Sequence, residues 1–121
     1  MKTTVEENEE AQMKYHRTGD DIRFVQENIP FEELLCQLAE ECNELGKAAL
    51  KLRRTHSNVN PTPVKRREAL NALIEEIADV KLCLHVCGFE DVTDKIRVNR
   101  IITEKAKRWV ARLEEASRNG R

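Results

Sequence analysis

From Phe31 to about Arg54 the apolar side chains return every three or four residues: Phe31, Leu34, Leu35, Leu38, Cys42, Leu45, Ala49 and Leu52. That period lines one face of an α-helix and does not suit a strand, whose side chains alternate every two residues. Pro30 fits the first turn of this helix, and Glu32 and Glu33 follow where the helix dipole favours acids. One clear loop, Thr55 to Pro63, then breaks the pattern. Thr62 and Pro63 read as the N-cap and first-turn residue of a second helix. It runs to Cys87 and stops at Gly88, a residue suited to a left-handed terminator. Between Ile77 and Cys87 this helix is apolar nearly all round, which predicts burial on several sides. A last helix is expected from about Asp91 to Ala116, with Val92, Ile96, Ile102, Ala106, Trp109, Val110 and Leu113 along its stripe.

The N-terminal part is less regular. Residues 1–18 have no sustained apolar period, and Asp20 to Asn28 has the material for a short helix in Ile22, Phe24 and Val25. The expected organisation is therefore an N-terminal arm or short helix over 1–28, followed by a single helical domain over 29–121. The fold class is all-α, an antiparallel helical bundle with short connections. So small a core, with one helix needing cover on several sides, predicts assembly as a homo-oligomer.

Composition excludes several functions. The 121 residues include 21 Lys and Arg against 22 Asp and Glu, a net charge of −1, so no global basic field predicts a nucleic-acid partner. Arg53, Arg54, Lys65, Arg66 and Arg67 cluster around the loop, and a solvated loop rim is the simplest reading of them. No apolar run approaches the ~18 residues of a membrane span, and the acidic start, Met1 to Glu7, lacks the apolar core of a signal peptide. A cytoplasmic protein without a membrane partner is expected. The four cysteines agree with that compartment, and all four are expected to be free thiols in the core. Cys83 and Cys87 share a helical face from which His85 points away, so no Cys-His-Cys metal site is expected. His16, His56 and His85 read as bystanders.

The carboxylates are harder to place. Glu40 points almost opposite the apolar stripe of its helix, as a solvated acid should. Glu41 instead stands in line with Leu34, Leu38, Leu45 and Ala48, with Glu44 beside it one turn on. On the next helix Glu76 and Asp79 are again three apart and share a face with Ala72 and Cys83. If the two helices fold back about residue 60, inside the loop, Glu44 falls opposite Glu76 and Glu41 opposite Asp79. Ionised carboxylates brought together at an apolar face repel and lose solvation. A hard divalent cation such as Mg²⁺ removes that conflict because it prefers carboxylate oxygens. The competing reading is surface acids that happen to align or that pair with Lys and Arg. A ferritin-like di-iron site would want Glu-x-x-His pairs, and neither motif has the histidine. On the last helix, Lys95 and Asn99 lie in the apolar stripe, where a long lysine can snorkel but an inward amide needs partners.

Two segments carry a family resemblance. Leu38-Ala39-Glu40-Glu41-Cys42-Asn43-Glu44-Leu45 and Glu75-Glu76-Ile77-Ala78-Asp79-Val80 resemble the paired acidic motifs of the MazG-like all-α nucleoside triphosphate pyrophosphohydrolases. Lys95-x-x-x-Asn99 is similar to a Lys-x-x-x-Asn element that follows them in that family. The resemblance covers about residues 31 to 110; the Thr55–Pro63 loop makes the interval between the motifs longer than in compact members. It implies Mg²⁺, with Mn²⁺ as an alternative, held by Glu41, Glu44, Glu76 and Asp79. Glu41 is the candidate general base, with direct metal ligation as its other role, and Lys95 and Asn99 would contact substrate. The implied reaction hydrolyses a (d)NTP to the monophosphate and pyrophosphate, in the service of nucleotide-pool cleaning, by a homodimer or homotetramer. The alternative is a non-catalytic helical bundle that binds nucleotide or a partner.

Overall fold

The computed structural model describes residues 1–56, 59–60 and 62–120, with the side chains of 11–17 excepted. The expectation for His16 thus lies outside the described side chains, and Ser57, Asn58 and Pro61 of the loop lie outside the described residues. The described chain is all-helical, with no strand: α1 (Thr4–Asn28), α2 (Phe31–Arg54), α3 (Arg66–Val86) and α4 (Val92–Arg118). Among these residues, no helix is long and apolar enough to cross a membrane. The chain divides into two compact units, Met1–Gly88 and Phe89–Arg121.

In the first unit, α1 is one continuous helix of 25 residues, longer than the short helix expected and not an arm. Its start is fixed by a capping box that the apolar period does not register. The Thr3 side chain accepts from the Glu6 backbone N–H, and the Glu6 carboxylate accepts from the Thr3 backbone N–H at 2.7 Å. It ends at Ile29, whose extended backbone is what a residue before proline adopts.

α2 begins where the period places it, with Pro30 at the N-cap, one position earlier than expected, and Lys51, Arg53 and Arg54 in the last turn, opposite in sign to Glu32 and Glu33 in the first. α3 starts later than expected. Lys65 holds extended backbone (φ −68°, ψ 146°), so the helix cannot begin before it, and Thr62 is not its cap. At the far end Gly88 takes the predicted left-handed conformation, φ 84°.

α2 and α3 pack along their lengths, with α1 against α3. Leu34, Val86 and Cys87 form the buried cluster, and Ile22, Val25 and Leu38 close around it. Early α2 thus meets late α3, so the pair runs in opposite directions, the sense required for the two acidic motifs to meet. Gln26 Nε2 ties α1 to the His85 carbonyl at 3.1 Å.

Burial on several sides does not hold for α3. Cys83 and Val86 are buried, but Ile77 is 44% and Leu82 50% exposed. Within the first unit, α2 and α1 cover one side of an apolar helix and leave another open. The cysteines divide: Cys83 and Cys87 are buried free thiols, whereas Cys36 and Cys42 are exposed free thiols and not core residues.

The second unit is α4, capped by the Asp91 carboxylate accepting from the Asp94 N–H at 2.7 Å. Its stripe is solvent-facing in the single chain, with Trp109 64% exposed.

Candidate metal centre

Glu41 lies on the turn of α2 that follows Leu38, so the contact that closes the core also carries Glu41 toward α3. Glu76 and Asp79 project from α3, three residues apart and therefore on one face. One oxygen from each of Glu41, Glu76 and Asp79 lies within 4.8 Å of the others. Glu41 and Glu76 are half-buried and Asp79 is exposed, so the cluster sits at the edge of the interface with one side open to solvent.

The electrostatics of this group are unfavourable without a counter-charge. Among the described residues no Lys or Arg is within ion-pair distance of Glu41, Glu76 or Asp79; the nearby lysine, Lys47, pairs instead with Glu44 at 3.3 Å. Glu76 Oε2 is buried and has no hydrogen-bond partner. Partial burial pushes the Glu76 carboxyl above its usual range, and the charges of Asp79, Glu41 and Glu44, with a hydrogen bond to Glu41, push it the same way. A proton on Glu76 relieves the crowding in one way, and a divalent cation in another. The oxygen-only donors, the orphaned buried Oε2 and the absence of an ammonium or guanidinium on the triad all fit a hard cation such as Mg²⁺.

Three of the four acids picked out by spacing therefore converge. Glu44 lies outside the mutual 4.8 Å group, exposed and paired with Lys47, although its charge still acts on Glu76. Glu40 is exposed, as its position on the helix requires. Lys95 and Asn99 belong to the second unit. There Lys95 Nζ lies 3.6 Å from Glu90, and the Asn99 carbonyl accepts from Thr103 Oγ1. Both side chains are exposed.

Two features escaped the sequence. Gln37 Nε2 donates to Glu41 Oε1 at 3.0 Å and so fixes the orientation of that carboxylate. Its position one turn before Glu41 was the available signal. The second is a cleft of about 610 Å³ between α1, α2 and α3, with Glu41 and Asp79 in its wall. Its α1 wall, chiefly Asp21, Ile22 and Val25, lies in the stretch expected to be helical, but the period did not show that this stretch packs beside α2 and α3.

Compared with known proteins, the chain matches no family model, no curated protein and no solved structure.

Proposed function

We propose that this protein is a Mg²⁺-dependent nucleoside triphosphate pyrophosphohydrolase, working as an antiparallel helical bundle assembled into a homodimer or homotetramer. The observation that carries the reading is the approach of Glu41, Glu76 and Asp79 to within 4.8 Å across two helices, with no basic side chain among the described residues in ion-pair contact with them. These are three of the four residues that the family resemblance assigns to metal; the fourth, Glu44, lies outside the group.

Glu76, Asp79 and Glu41 would hold the ion, with Glu44 beside them. When bound, Mg²⁺ supplies the positive charge that lets an acidic site accept a triphosphate of about four negative charges. Glu41 is suited to the proton transfer. Gln37 holds its Oε1, and it stands where the acid cluster opens into the cleft. In the proposed step Glu41 takes a proton from water. The hydroxide oxygen bonds to the α-phosphorus, the bond between that phosphorus and the bridging oxygen breaks, and pyrophosphate leaves with the electron pair. Lys95 and Asn99 would contact phosphate and sugar, a role that rests on the resemblance. The protein needs no nucleic-acid or membrane partner for this chemistry.

The test is release of pyrophosphate by the purified protein with Mg²⁺ across the common (d)NTPs. At least one should be hydrolysed, and Glu41→Gln or Asp79→Asn should lower the rate at least ~100-fold with helix content unchanged. Activity that survives both substitutions rejects the site. Nucleotide-dependent thermal stabilisation without pyrophosphate would mark a binding bundle instead.

A further inference from the structure

The cleft beside the acid cluster has a distinctive lining. Its body is apolar, built from Ile22 and Val25 of α1, Leu34 of α2, and Leu82 and Val86 of α3. Beyond Glu41 and Asp79, which it shares with the cluster, its described polar side chains are Thr18, Asp21, Glu33 and Gln37, and no lysine, arginine or histidine is among its described walls. Ionised Asp and Glu are hydrogen-bond acceptors only. One hydrogen of the Gln37 amide nitrogen is engaged with Glu41, which leaves its second hydrogen and its carbonyl oxygen. An apolar cleft whose rim carries two acceptor-only carboxylates, Asp21 and Glu33, is complementary to a ring that carries donors. At about 610 Å³ its size is within the ~300–1,000 Å³ of small-ligand sites.

We infer that this cleft receives the base of the nucleotide and selects bases with an exocyclic amino group. The inference rests on the proposed reaction for where the triphosphate lies: phosphates at Glu41 and Asp79 put the remainder of the nucleotide at the mouth of the cleft those two residues share. Cytosine, adenine and guanine offer amino hydrogens to Asp21 and Glu33. Uracil and thymine offer one N–H between two carbonyl oxygens, and carboxylates repel those oxygens. A charged hydrogen bond made to one base and replaced by an acceptor–acceptor clash with another separates them by about tenfold or more.

The cleanest pair is dCTP and dUTP, which differ at the amino position and the adjoining ring nitrogen. With Mg²⁺, kcat/KM for dCTP should exceed that for dUTP by at least ~10-fold. Asp21→Asn and Glu33→Gln, singly and together, add donors without changing shape and should bring the ratio to within ~3-fold by raising dUTP turnover. Both side chains are exposed, so neither substitution threatens the fold. Equal or better use of dUTP, or a ratio unchanged in the double variant, overturns the inference. Calorimetric titration of dCMP and dUMP separates it from the hydrolase reading. Tighter dCMP binding that depends on Asp21 and Glu33, without turnover of any triphosphate, keeps the cleft assignment and rejects the reaction. No turnover and no discrimination between dCMP and dUMP rejects both.

Discussion

Glu76 concentrates the electrostatic conflict of the site. Its carboxyl is held above the usual range by partial burial and by three neighbouring acids. Between the ordinary value of 4.5 and the raised one, the folded chain therefore binds more protons than the unfolded chain. Stability of the metal-free protein should fall as pH rises through that interval. Thermal melts in chelator across a pH series should show the decline, and Glu76→Gln, which needs no proton, should flatten it. A decline that persists unchanged in Glu76→Gln would assign it to other groups. Gly88 makes a simpler prediction. At φ 84° an alanine is strained, and Gly88→Ala should cost roughly 1–2 kcal/mol in urea unfolding. The inward lean of Glu41 was legible from its alignment with Leu34 and Leu38. The orphaned Glu76 oxygen and the Gln37 bond were not, because each depends on a rotamer that spacing does not fix.

At the scale of elements, the helical period placed α2 correctly, since burial against α3 and helix propensity agree there. It failed at α1 and at the start of α3. In α1 a capping box and the lack of a breaker strong enough to end the helix before Pro30 sustain a helix whose sequence is mostly polar. In α3 the extended backbone at Lys65 overrides a good N-cap pair at Thr62 and Pro63. The packing of α2 on α3 rests on few buried side chains, chiefly Leu34 with Val86 and Cys87. Leu34→Ala should therefore destabilise by about 2–5 kcal/mol, measured by urea unfolding, and should also lower affinity for metal because Glu41 is one helical turn beyond Leu38. Loss of stability without loss of metal affinity would mean that the acids are positioned independently of this contact.

For the whole molecule, the first unit leaves Ile74 and Ile77 of α3 open, and the second leaves the stripe of α4 open. Apolar surface of this extent on otherwise regular helices calls for cover. The proposed assembly predicts a light-scattering mass that is a multiple of 14.0 kDa, with Ile77→Glu shifting it toward the single chain. A monomer at every concentration would contradict that arrangement. Sequence showed that α3 demands cover but not what provides it, since a hydrophobic period records an interface without naming the partner surface.

The central claim is that Glu41, Glu76 and Asp79 form a cage for a divalent cation, and titration of Mn²⁺ followed by electron paramagnetic resonance tests it most directly. Saturable binding by the native protein, competed by Mg²⁺ and lost in a Glu76→Gln/Asp79→Asn double variant of unchanged helix content, is the expected result. Absence of saturable binding, or equal binding by that double variant, would contradict it.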